Sequence, residues 1–212
     1  MIFELRQYTL WPGRRDTLIE LFDREFLESQ EATGMRIDGQ FRDEDSPDRF
    51  VWVRSFPDME QRAKSLAAFY GGPVWQAHRD TANDTMVDSD DVLLLRPAGP
   101  AWDLPTDRPP QGTVEAPATR FTASIAHLPE PATQAFRDFF AAEIAPTVPV
   151  IARFETEYAW NTFPALPVRT GEHVFVWFSR GDAPPAVPAL DGWLAKPIET
   201  LRLTPTARSR LR

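Results

Sequence analysis

Two groups of residues in this 212-residue chain have the types and spacing to do chemistry. His78 follows Trp75 by three positions, a spacing that puts both on one side of a helix. Phe69 and Tyr70 come just before them, so the imidazole stands in aromatic company. A histidine so placed can serve as a general base in a pocket that excludes water. It can equally be a packing or surface histidine. The second group sits on a strand. In Phe3-Glu4-Leu5-Arg6-Gln7-Tyr8 alternate side chains share a face, so Glu4, Arg6 and Tyr8 project together. Trp52 and Arg54 alternate in the same way on the later run Phe50 to Phe56. On neighbouring strands, these five would form one polar and aromatic floor. One reading is that arginine grips a substrate carboxylate or phenolate there. The other is a salt-bridge network at a seam between two sheets, since an unpaired buried charge is costly. The candidate site is therefore His78 as catalytic base, with Arg6, Tyr8, Trp52, Arg54, Phe69, Tyr70 and Trp75 as binding residues. No metal site is expected.

Little else in the sequence suggests a reaction. There is no phosphate-binding loop, dinucleotide glycine fingerprint, nucleophile elbow or zinc-binding helix motif. Asp88, Asp90 and Asp91 lack the glycine and closing glutamate of a calcium loop, and read as a solvated turn. His127 and His173 have no second ligand at metal spacing. The chain has no cysteine, which removes disulfides and thiolate chemistry. A net charge of −8 argues against nucleic acid as a partner. The basic end Arg208-Ser209-Arg210-Leu211-Arg212 reads as a frayed, solvated terminus. No apolar run reaches membrane-spanning length and no signal peptide is evident, so neither a membrane nor export is expected and the cytoplasm is the default location. A small-molecule ligand is the expected partner. A second copy of the chain, in a homo-oligomer, is the other partner the sequence allows.

Those groups are positioned by elements whose order recurs. An alternating strand (2–10) precedes an amphipathic helix (14–33) that Gly34 can close. Strands follow at 35–42 and 50–56. Asp58 with Gln61 three residues on reads as a capping box opening a second helix. A final strand runs over 92–96. A Pro-rich linker (98–117) separates this from a second stretch, 118–206, with the same order, its second strand running from Ile151 to Trp160 and its last helix short and proline-flanked. Residues 207–212 form the basic tail. Arg49 to Asp58 align with His173 to Asp182 without a gap, and Thr122 and Ser124 stand where the first stretch has Glu4 and Arg6. The expected fold is α+β: tandem ferredoxin-like βαββαβ units packing sheet-to-sheet as an α+β barrel, each covering a face that one unit alone would leave bare. Any pocket would lie on the charged side only.

The stretch Val51-Trp52-Val53-Arg54-Ser55-Phe56-Pro57-Asp58-Met59-Glu60-Gln61-Arg62, with Ala68-Phe69-Tyr70, Pro73-Val74-Trp75-Gln76 and Leu93-Leu94-Leu95-Arg96-Pro97, resembles the NIPSNAP family. So does Glu4-Leu5-Arg6-Gln7-Tyr8 followed by Pro12-Gly13. The resemblance covers about residues 2–97 and is weak over 118–205. It implies the dimeric α+β-barrel fold, whose relatives include cofactor-independent monooxygenases, haem-degrading proteins and small-molecule isomerases. Haem-degrading relatives place a ligand histidine on the helix that carries His78 here; no other residue supports haem, and no cofactor is expected. The family has no generally assigned reaction. The leading expectation is a protein that binds a small, mostly apolar molecule between helices and sheet of the first unit. The rivals are a cofactor-independent monooxygenase or isomerase acting on an aromatic or polyketide-like substrate, and a structural or assembly protein.

Overall fold

The alternating N-terminal run forms strand β1 (Ile2–Leu10), buried on both faces except at Thr9. It pairs antiparallel with β3 (Arg49–Phe56), setting Glu4 opposite Arg54 and Arg6 opposite Trp52. On its other edge it pairs with β4 (Met86–Pro97). β2 (Arg36–Asp43) completes this half beside β3. Strands β5 (Phe121–Leu128), β6 (Val150–Thr156), β7 (His173–Arg180) and β8 (Lys196–Pro205) make the other half, with β5 between β7 and β8. Short pairings of β2 with β8 and of β4 with β6 join the halves edge to edge. The result is a closed eight-stranded antiparallel barrel in the order β1-β3-β2-β8-β5-β7-β6-β4, in a mixed α/β fold. The computed structural model describes residues 1–99, 102–181 and 186–212. Pro100 and Ala101 of the expected linker and Asp182 of the aligned stretch lie outside them.

Alternation decides what each strand face touches. Phe3, Leu5, Val51 and Val53 from one half meet Phe121, Ile125, Val176 and Phe178 from the other inside the barrel. Burying each such side chain contributes about 1.5–3 kcal/mol, so neither half is a separate core. The Pro-rich segment takes part, because Trp102 packs into the barrel with its ring 4.9 Å from Phe178 and 5.3 Å from Phe154.

Outside the first half lie α1 (Arg15–Leu21), a π-helical turn Phe22–Phe26 and α2 (Leu27–Glu31), which run on without a break. Leu18, Phe22 and Phe26 point to the sheet. Gly34 beyond them has φ +93°, a left-handed conformation that favours glycine. α3 (Met59–Tyr70) begins at Asp58, whose carboxylate accepts the Gln61 N–H at 2.8 Å. Only half of the expected capping box forms, since the Gln61 amide donates to Ser65 Oγ instead. α4 (Pro73–Asn83) follows Gly71-Gly72. Outside the second half lie α5 (Gln134–Phe139), a second π-helical turn Phe140–Ile144 and a 3-10 turn Pro188–Trp193 in place of the expected short helix.

Three expectations are corrected. Asp88, Asp90 and Asp91 are not a solvated turn but part of β4, which follows β1 to Leu10 opposite Met86. β6 ends at Thr156, short of the expected Trp160, and residues 157–172 leave the barrel wall. The C-terminal end is not frayed: Arg208, Ser209 and Leu211 are buried. The Leu211 N–H donates to the Asp38 carbonyl, and Arg210 and Arg108 both reach Glu31.

Candidate functional site

The outward faces of β1 and β3 bring Glu4, Arg6 and Arg54 together, and α3 lowers Arg62 onto them. Arg54 Nε and Arg6 Nη1 donate to Glu4 Oε2 at 2.6 and 2.7 Å, and Arg62 Nε donates to Glu4 Oε1 at 2.6 Å. All four residues are at most 1% exposed. Burial alone would raise the Glu4 carboxyl, but the guanidiniums of Arg54, Arg6 and Arg62 outweigh it and hold the group well below the usual carboxylate range. Burial pulls the Arg62 guanidinium down from its ordinary value, against the opposing pull of Glu4. One carboxylate thus faces three cations.

The remaining donors are met only by neutral groups. Arg6 Nε donates to the Tyr8 hydroxyl at 3.1 Å, Arg54 Nη1 to Gln30 Oε1 at 3.4 Å and Arg62 Nη1 to Asn161 Oδ1 at 3.0 Å. Arg54 Nη2, Arg62 Nη2 and Trp52 Nε1 are buried without a partner. The Arg6 guanidinium lies 5.4 Å from the ring centres of both Tyr8 and Trp52, and Arg54 lies 5.1 Å from Trp52. The expected seam between two sheets is not where this network sits. It lies under the helices, because Phe3, Leu5, Val51 and Val53 take the barrel-facing positions.

Beside this cluster is a cavity of about 30 Å³ walled by Tyr8, Trp52, Phe69, Tyr70 and Trp75, with Phe22, Phe26 and Gln30 among its other lining residues. That is room for about one water molecule. Five of the seven residues expected to bind line it; Arg6 and Arg54 do not, and meet it through Tyr8 and Gln30, to which they donate. His78 does not line it. Its ring centre is 6.3 Å from Phe26, and Nε2 is 3.6 Å from Glu25 Oε2. A haem does not fit: the void is too small, and the histidine meets the cavity only through Phe26. Among the described residues, no group of three or more His, Cys, Asp or Glu is placed to hold a metal ion.

Arg62 and Gln30 were not expected at the site. Each is a polar residue on the apolar stripe of its helix: Arg62 precedes Leu66 and Phe69 by four and seven positions, and Gln30 follows Phe26 by four. The loop 157–172 was also unexpected. It crosses from the second half, stacks Phe163 on Tyr70 at 5.9 Å and offers Asn161 and Thr162 to Arg62. Wider clefts open elsewhere, one of about 470 Å³ between α1 and residues 111–116 and one of about 250 Å³ beneath Tyr158 and Trp160. Neither gathers the predicted residues.

The fold and site define a helix-flanked antiparallel barrel with one charged helix–sheet layer. Residues 3–100 match the NIPSNAP family model, and the resemblance to that family is thereby shown for the half that carries the site. An uncharacterised NIPSNAP domain protein from Burkholderia xenovorans is 21% identical, covering 49% of this chain and all of its own, with a TM-score of 0.44. A protein from Lactobacillus acidophilus NCFM matches over 99% of this chain and 96% of its own at 13% identity and a TM-score of 0.55. One from Fusobacterium nucleatum matches over 99% and 94% at 7% identity and a TM-score of 0.59. Both are named as monooxygenases by proposal; at these identities they share the fold alone. No curated protein matches the chain. No helix among the described residues is long and apolar enough to cross a membrane.

Proposed function

We propose that the chain is a NIPSNAP-type protein of two ferredoxin-like units, 1–97 and 118–206, joined by the 98–117 linker. In this reading it binds a small, mostly apolar molecule between the helices and sheet of the first unit. One observation carries it: seven aromatic side chains line a cavity beside a buried cluster of one carboxylate and three guanidiniums. Few polar groups converging in an apolar enclosure is the usual make-up of a small-molecule site. The cavity as it stands holds about a water molecule, so binding requires a wall to move. α4 is the wall with least to hold it, since Ala82 is its only buried residue, and Gly71-Gly72 join it to α3. Soaking crystals of the protein with small aromatic fragments tests this. Fragments are expected between Tyr70, Trp75 and Trp52. Fragments seen only in the outer clefts, or nowhere, would leave the assembly role.

A second reading keeps the site and adds a reaction, a cofactor-independent monooxygenase or isomerase with His78 as base. The names of the two fold neighbours favour it. It requires α4 to turn His78 from Glu25 toward the cavity as the wall opens. Turnover of an aromatic substrate that His78→Ala abolishes, with binding intact, supports it; turnover unchanged by that substitution removes His78 from the chemistry.

A further inference from the structure

The charge of the floor says what the occupant must carry. Glu4 is the only carboxylate that bonds Arg6, Arg54 or Arg62 among the described residues, and the other partners of these arginines are the neutral Tyr8, Gln30, Asn161 and Thr162. The cluster therefore buries two more positive charges than negative ones. Uncompensated buried charge is among the most costly features a fold can hold. Two of the guanidiniums also keep a buried N–H group unspent, at Arg54 Nη2 and Arg62 Nη2. Both groups flank the same carboxylate, because each guanidinium is tied to Glu4 through its Nε. The floor is thus short of an anion and supplies fixed, planar donors for one. Next to it stand Tyr8 and Trp52, whose rings face Arg6 and also wall the cavity.

We propose that the occupant is a small aromatic carboxylate, its ring enclosed by Trp52, Tyr70 and Trp75 and its carboxylate held by the free N–H groups of Arg54 and Arg62. This rests on the small-molecule reading above and specifies its ligand. A carboxylate fits better than a point-like anion, because its two oxygens can accept from two separate guanidiniums, one from each Nη2. The aromatic walls supply the rest of the recognition through apolar contact.

Isothermal titration of the intact protein with benzoate, benzamide and acetate tests the assignment. Benzoate is expected to bind at least ~10-fold more tightly than either, since charge-assisted bonds are about twice as strong as neutral ones and acetate lacks the ring. Arg62→Gln should weaken benzoate by about tenfold or more and leave benzamide unchanged, with Arg62→Lys recovering part of the loss because the charge returns without the planar guanidinium donors. Equal affinity for benzoate and benzamide overturns the anion assignment while leaving the cavity as a binding site. Equal affinity for benzoate and acetate overturns the aromatic part, and benzoate binding indifferent to Arg62→Gln places the ligand elsewhere. No binding by either aromatic probe defeats both this assignment and the reading beneath it.

Discussion

The strand pairs β1–β3 and β5–β7 occupy matching places in the barrel, and their helix-facing sides could hardly differ more. Glu4 opposite Arg54 in the first pair has its counterpart in Thr122 opposite Ser179. Arg6 opposite Trp52 becomes Ser124 opposite Trp177, and Tyr8 opposite Phe50 becomes Ala126 opposite Phe175. Over the second pair, Phe136 and Phe140 descend onto Phe175 and Trp177 in an apolar layer. The barrel closes equally well on both sides. The difference teaches that closure does not require the charge. Replacing buried ion pairs by well-packed apolar groups is often neutral or stabilising, and the second half shows the apolar solution at work. Under the proposed function, the charged layer of the first half serves binding rather than closure.

The sharpest way to break that contrast is to remove Glu4. Glu4→Leu leaves three buried guanidiniums without their shared carboxylate and should cost about 3–5 kcal/mol in urea unfolding. Thr122→Val, at the matching place, loses one hydrogen bond to the Gly181 carbonyl and should cost about 1 kcal/mol. The Glu4 carboxyl is held below its ordinary value, so its contribution is present above the ordinary carboxylate range and is lost as pH falls through the lowered folded value. The gap between the two variants should therefore persist to mildly acidic pH and narrow only in strong acid. Equal losses for the two substitutions would mean that the cluster is not held by charge.

The contrast between an enclosed void and a filled layer is tested by trimming one aromatic from each. Phe136 is fully buried and packs on Phe175 and Trp193, so Phe136→Ala should cost about 3–5 kcal/mol. Tyr70 is half-buried at the cavity wall, and Tyr70→Ala should cost about 1 kcal/mol while enlarging the void. Thermal melts followed by circular dichroism read both. A loss at Tyr70 as large as at Phe136 would make the wall part of the core.

Much of this was legible in the residues, and the remainder was hidden for identifiable reasons. Alternation on β1 and β3 identified the shared face of Glu4, Arg6, Tyr8, Trp52 and Arg54, because a period of two is a local property. The Asp58 cap was readable for the same reason, as its acceptor and donor lie three residues apart. The family resemblance rested on such local runs. Whether that face turned inward or outward was not local. It depends on which alternate set, Phe3 and Leu5 or Glu4 and Arg6, the other half covers. The roles of Arg62 and of Asn161 and Phe163 came from contacts across 58, 99 and 93 residues, which no pattern within one segment encodes. The tail misled because its arginines suggested solvation, whereas Arg208 and Arg210 are paired with Glu28 and Glu31 of α2.

That wrapping gives the last and smallest contrast. Each half has a π-helical turn at the same place, Phe22–Phe26 and Phe140–Ile144, and Asp23 in the first stands where Ala141 stands in the second. Ala141 is exposed. Asp23 is partly covered beside the C-terminal segment, with its backbone carbonyl accepting from Arg208 and its Oδ1 buried without a partner. Burial raises its carboxyl to about 6, against the opposing pull of Arg208 and Arg108. A folded value above the ordinary one means that stability is full below the ordinary carboxylate range and is lost as pH rises through about 6. Asp23→Asn should remove that loss. The full displacement corresponds to at most ~3 kcal/mol, and the partial exposure of the carboxylate reduces the expected gain to about 1 kcal/mol. The gain should be absent near pH 4, grow up to about pH 6 and stay level above it when unfolding is compared across that range. Ala141→Asn should change nothing at any pH. A gain at Asp23 that does not vary with pH would show that the carboxylate is not held in this environment, and that the terminal segment leaves the two turns alike.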